Sequence, residues 1–81
     1  MKPLRSPDHV RMMELLIAAR DRAGLTQTQL AQRLKKPQSF VSKYETGERA
    51  LNVIEFIWIA RELDFDAAKA VREIAAVYKA K

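Results

Sequence analysis

The sequence predicts an all-α fold of five short helices, and three observations carry that reading. Apolar residues recur at three- and four-residue spacings through most of the chain, with no alternating run that would mark a strand. Residues that open and close helices fall between those stretches: Ser6-Pro7, Gly24 and Thr26, Pro37, Gly47 and Asn52. Residues 25–45, LTQTQLAQRLKKPQSFVSKYE, read as a short helix, a tight turn and a second short helix. Small Ala31 and β-branched Val41 stand where two such helices press together.

The elements follow in order. Residues 1 to 6 read as a flexible arm. Ser6-Pro7-Asp8 opens the first helix, with Ser as N-cap, Pro at the first helical position and an acid in the first turn. That helix runs to about residue 23, with Met13, Leu16, Ile17 and Arg20 on one face, and Gly24 stops it. Thr26 caps the second helix and Gln29, three residues on, completes a capping-box pattern. This helix covers about residues 27 to 34, with Leu30, Ala31 and Leu34 inward, and Lys35-Lys36-Pro37 makes the turn. Pro37 or Gln38 opens the third helix, which reaches about residue 45 with Phe40, Val41 and Tyr44 available for packing. Thr46-Gly47 ends it. Residues 48 to 51 form a loop, Asn52 caps a fourth helix over about residues 53 to 63, and Asp64-Phe65-Asp66 breaks it. A fifth helix follows from about residue 67 to residue 80. Residues 7 to 81 make one domain.

Composition narrows the chemistry. Eighty-one residues suit one small core. There is no Cys, one His and only two Gly, Gly24 and Gly47, which leaves no nucleophile–base pair, no metal set and no phosphate-cradling loop. His9 is expected to play an ordinary surface role. No cofactor and no enzymatic activity are expected. No stretch approaches the ~20 apolar residues of a membrane span, and MKPLRSPDHVRMM lacks the apolar run of a signal peptide. A cytoplasmic protein without membrane contact is therefore expected. The charge is lopsided: ten Lys and Arg face five Asp and Glu through residue 50, and five face five thereafter. The whole net charge of +5 thus sits in the half that carries the helix–turn–helix pattern. Such charge steers a protein toward phosphate backbones, although many basic surfaces have no such role.

Residues 25–45, followed by Gly47-Glu48-Arg49, closely resemble the helix-turn-helix of the Cro/repressor, or xenobiotic-response-element (XRE), family. The matched positions are Gly24, Leu25, Thr26 and Gln27; Leu30 and Ala31; and Pro37, Gln38, Ser39, Phe40, Val41, Ser42, Lys43 and Glu45. The resemblance extends over about residues 10 to 64. It implies a compact five-helix, lambda-repressor-like DNA-binding domain that lays its third helix in the major groove. Two departures stand out. Lys35 occupies a turn position that is usually Gly, at a strain of about 1 kcal/mol. Ala50 replaces a second basic residue that often follows Arg49.

On a helix of ~3.6 residues per turn, Gln38, Ser39, Ser42 and Lys43 share the face opposite Val41 and Tyr44. They are the base-reading candidates: Gln matches adenine, Lys reaches guanine acceptors, and Ser bonds several bases or a phosphate. A plain solvated face is the competing reading. Thr26, Gln27, Lys36 and Arg49 are the phosphate candidates. The resemblance implies that Gln27 also braces Gln38, and that Arg20 and Glu45 meet as a partly buried ion pair joining the first and third helices.

The fourth helix is apolar nearly all round. Val53, Phe56, Ile57, Ala60 and Leu63 form one stripe that can close the core, which leaves Ile54, Trp58 and Ile59 pointing elsewhere. The fifth helix can simply fold back over the fourth, or the two helices can also form a two-fold homodimer interface centred on Trp58, with Ile54, Ile59, Ile74 and Tyr78. Such a pair would present two recognition helices about 34 Å apart and read a palindrome. The expected function is a sequence-specific double-stranded DNA-binding transcriptional regulator, a repressor-type homodimer. The alternative is an antitoxin or other partner-binding protein of the same fold.

Overall fold

A computed structural model describes residues 4–79, with the side chains of residues 4–77. Five α-helices follow in order: α1 Pro7–Arg22, α2 Gln27–Leu34, α3 Gln38–Thr46, α4 Val53–Leu63 and α5 Ala67–Lys79. No strand occurs among the described residues. Residues 80 and 81, at the expected end of α5, and the Tyr78 side chain lie outside them.

Local chemistry sets the boundaries. Ser6 stands at the N-cap of α1 in extended backbone, but its side chain accepts no backbone bond. Its hydroxyl instead donates to Asp8 Oδ1 at 2.7 Å, and the same oxygen accepts the His9 N–H at 2.9 Å. The α2 capping box forms in both directions, Gln29 N–H to Thr26 Oγ1 at 3.1 Å and Thr26 N–H to Gln29 Oε1 at 2.9 Å. A second box opens α4, where the Glu55 N–H donates to Asn52 Oδ1 at 2.8 Å and the Asn52 N–H to Glu55 Oε1 at 3.1 Å. Lys35 closes α2 in the left-handed conformation at φ 57°. Asp64 does the same for α4 at φ 54°.

Gly47 closes α3 at φ 82°, and a Cβ there would lie 2.8 Å from the Leu4 carbonyl oxygen. The close approach arises because the Leu4 N–H donates to the Gly47 carbonyl at 2.6 Å. Residues 4 to 6 of the expected arm are therefore tethered to the end of α3, and residues 1 to 3 lie outside the described residues.

Leu16, Leu30, Val41, Tyr44 and Ile59 are the largest fully buried side chains. Ala31 and Val41 close the α2–α3 junction, and Phe40 packs edge-on against Tyr44 with ring centroids 5.6 Å apart. Helix α5 lies chiefly along α1, with only a light touch on α4. Of the readings open for α5, the fold-back over α4 is thus only a minor part of its packing, and α1 is its main partner.

Two further expectations change. Ile59, assigned to an interface, is 0% exposed and belongs to the core, while Val53, assigned to the core stripe, is 72% exposed. An all-round apolar helix carries no phase signal of its own, so its neighbours decide which residues turn inward. His9, expected on the surface, is partly buried, and its Nε2 is enclosed without a partner among the described residues.

Candidate nucleic-acid interface

Gln38, the first residue of α3, is exposed together with Ser39 and Lys43, and Ser42 beside them is partly buried. The Ser42 hydroxyl donates to the Ser39 carbonyl at 3.4 Å, a local bond that leaves its acceptor lone pairs available. The four base-reading candidates thus share one side of α3, whose opposite side holds the core residues Phe40, Val41 and Tyr44.

A continuous chain of polar contacts runs from α1 to Gln38. Arg20 donates from Nε to Glu45 Oε2 at 2.7 Å and from Nη2 to Glu45 Oε1 at 3.0 Å. Its Nη1 donates to the Leu25 carbonyl at 2.9 Å. Gln27 donates to Glu45 Oε1 at 2.9 Å, and Gln38 donates to Gln27 Oε1 at 2.8 Å. The Arg20 and Glu45 side chains are only 14% and 4% exposed. This fork geometry is the strong form of a charge-assisted bond, and the Glu45 hydrogen bond raises the Arg20 pKa further. The ion pair locks α1 to α3, and the Gln27–Gln38 bond ties the start of α3 to the start of α2.

The phosphate candidates are less alike. Thr26 and Lys36 are exposed, and Gln27 is partly buried at the open end of α2, where free backbone N–H groups and the helix dipole favour an anion. The Lys36 ammonium lies 5.6 Å from the ring centroids of both Phe40 and Trp58. Arg49 is already engaged. Its Nη1 and Nη2 donate to Glu55 Oε1 and Oε2 at 2.9 and 2.8 Å, and its guanidinium lies 4.9 Å from the Phe40 centroid. It braces the loop after α3 against α4, and this pairing holds the Glu55 carboxyl below the usual range. Sequence reasoning missed that strut: the Asn52-x-x-Glu55 spacing carries the same capping-box signal as Thr26-x-x-Gln29, but nothing in it marked Glu55 as the partner of Arg49.

The expected interface residues divide. Ile54 is 56% exposed on α4, and Ile74 lines an apolar groove between α1, α4 and α5. Trp58 lies apart from that groove, in a recess shared with Arg33, Lys35, Lys36 and Arg61. Val53 and Val71, 72% and 53% exposed, border the groove and were not singled out as interface residues.

Two short packed helices joined by a tight turn, the second with a polar, cation-flanked outer side, define a DNA-binding helix-turn-helix protein, the class that regulates transcription. The Helix-turn-helix family model (HTH_3) matches residues 16–69, and the chain belongs to this XRE-type family. Among solved structures, it is similar to an XRE-family like protein from Pseudomonas syringae pv. tomato str. DC3000. That protein is 43% identical, with a TM-score of 0.79 over 85% of this chain and 84% of the other. The clp gene regulator ClgR from C. glutamicum shares the fold at 18% identity, with a TM-score of 0.76 over 94% of this chain and 97% of that one. None of the curated proteins compared with the chain matches it. No helix among the described residues is long and apolar enough to cross a membrane.

Proposed function

We propose that this regulator is a cytoplasmic, sequence-specific double-stranded DNA-binding repressor. In this reading it acts as a homodimer on a palindromic operator, which it reads through Gln38, Ser39, Ser42 and Lys43 of α3. The observation that carries the reading is Gln38, exposed at the start of α3 and pinned by Gln27. A side chain held this way keeps its polar end aimed outward at little further entropic cost on binding.

Thr26, Gln27 and Lys36 supply backbone contacts that set register, and Arg49 acts chiefly as a strut behind them. The partner copy docks on the apolar groove bordered by Val53 and Val71. The protein binds rather than catalyses, and repression follows from occupying the operator.

Selection from a randomised duplex pool, followed by salt-dependent anisotropy on the enriched sequence, tests this. An enriched palindrome with half-sites near one helical turn apart is expected, and Gln38→Ala should lose about 1–3 kcal/mol at one base pair of each half-site. No enrichment, with only weak salt-labile binding, would overturn sequence-specific reading.

A further inference from the structure

We propose that the recess between the α2–α3 turn and α4, built around Trp58, docks an acidic segment of another protein that carries an apolar anchor among its carboxylates. Such docking is independent of base reading by α3. Four cations, Arg33, Lys35, Lys36 and Arg61, line the recess against a single acid, Glu62. All four are exposed, and none forms an ion pair among the described residues. Trp58, the only tryptophan of the chain, is 40% exposed in their midst, and Leu34 adds apolar surface beside it. The Lys36 ammonium lies 5.6 Å from the Trp58 centroid, which steadies the ring before any partner arrives.

Charge complementarity chooses the occupant. Tryptophan and arginine are the residues in which binding energy concentrates at protein interfaces. Carboxylates of the segment satisfy the cations, and its apolar side chain takes the Trp58 ring out of water. At about 400 Å³ the recess is at the small end of ligand-sized clefts, which suits one anchoring side chain and its flanking backbone. A second copy of this chain does not supply such a segment. In Asp64-Phe65-Asp66, the Phe65 ring packs on Phe56 with centroids 5.8 Å apart, and Asp66 Oδ1 accepts the Lys69 N–H at 3.0 Å. Duplex DNA offers phosphates but no apolar anchor for the ring, and the recess is turned from the base-reading side. Phe40 stands two residues from both Gln38 and Ser42, nearly opposite each on a helix of ~3.6 residues per turn. Lys36 lies over the Phe40 and Trp58 rings alike, which places the recess on that far flank. Of the four cations only Lys36 also has a proposed phosphate contact, so the segment and DNA can be held together.

Linear peptides are selected on the full chain from a tryptophan-free random display library, and enriched peptides are titrated against Trp58 fluorescence. As the sole tryptophan, Trp58 reports occupancy of the recess directly. Peptides with several Asp or Glu around a leucine or aromatic residue should emerge and shift its emission saturably. Arg33→Glu with Arg61→Glu should weaken them about tenfold, and Glu62→Gln should tighten them about twofold. These positions are exposed, so the melting temperature should stay near that of the parent. Lys43→Glu on α3 should leave peptide affinity near the parent value, and saturating duplex should not displace the peptide. No enrichment, enrichment of uncharged peptides, or acidic peptides that leave Trp58 emission unmoved overturns the proposal. Displacement by duplex together with lost peptide binding in Lys43→Glu also overturns it, because the peptides would then mimic DNA on α3. If Arg33→Glu with Arg61→Glu weakens every duplex and spares the peptides, the recess is a DNA-backbone surface and the docking site falls. Inorganic pyrophosphate that reproduces the emission change at lower concentration than any peptide replaces the segment with a small-anion site. A duplex pool that yields no enriched sequence counts against sequence-specific DNA reading and leaves the peptide result standing.

Discussion

Tyr44 sits at the centre of the core with its ring against Phe40, and its hydroxyl is enclosed without a hydrogen-bond partner among the described residues. Burial pushes the hydroxyl pKa up, Glu45 adds to that effect, and Arg20 opposes it. A buried hydroxyl without a partner costs about 1–3 kcal/mol relative to a satisfied one. Tyr44→Phe keeps the ring packing and removes the orphan group, so it should be neutral or stabilising by up to about 1 kcal/mol in urea unfolding. A loss larger than that would mean the hydroxyl has a partner. Glu45 behaves in the opposite way. Glu45→Ala strands the Arg20 guanidinium in a 14% exposed site and should cost about 3–5 kcal/mol. A double-mutant cycle with Arg20→Ala should then show strong coupling, and additive losses would contradict the pairing. The charge of Arg20 on an apolar face was visible in the sequence, and the family resemblance supplied its partner. The lateral bond from Gln27 to Glu45 was not visible, because it joins residues 18 apart whose meeting depends on the packed fold.

At the scale of elements, boundaries follow from short-range chemistry, and that is why they were legible. Thr26 with Gln29, Gly24, Gly47 and Asn52 act within a few residues of themselves, and each ends or begins a helix where its chemistry requires. The Lys35 position is a built-in weak point: a side chain in left-handed backbone is strained, and glycine there relieves the strain. Lys35→Gly should stabilise the fold by roughly 0.5–1 kcal/mol, read as a higher urea midpoint. It should also weaken binding to all DNA sequences alike, through the lost positive charge. The strut between the α3–α4 loop and α4 brings pH dependence. The Glu55 carboxyl, held low chiefly by its Arg49 hydrogen bonds, gains charge more readily folded than unfolded. Its contribution is therefore complete above the ordinary glutamate pKa of about 4.5, and it drains away as the pH falls through the lower folded value. Unfolding midpoints taken between pH 7 and pH 3 should decline more steeply for the parent than for Glu55→Gln. Equal slopes would show that the strut contributes nothing to acid sensitivity.

At the scale of the whole molecule, the question is what covers the face that α1, α4 and α5 leave open. Five helices were readable from periodicity, but the way α5 settles against α1 was not. Its three-four stripe fits either neighbour, and only the assembled core chooses. The same choice moves Ile59 inward and Val53 outward, and so relocates the proposed dimer face from Trp58 to the groove. Two valines more than half exposed beside an apolar groove are costly to leave in water, and a two-fold partner would cover both copies at once. Val53→Asp with Val71→Asp should leave the monomer folded, because neither side chain belongs to the buried core. Sedimentation at tens of micromolar should show a dimer for the parent and a monomer for the double variant. Trp58→Ala should remain dimeric, since Trp58 lies in the separate recess with Lys36 and Arg61. The double variant should also bind a palindrome no more tightly than a single half-site, because the second recognition helix is no longer delivered with the first. Were Trp58→Ala to dissociate the dimer while the valine variant stayed paired, the interface would lie on the Trp58 flank and the groove would need a different occupant.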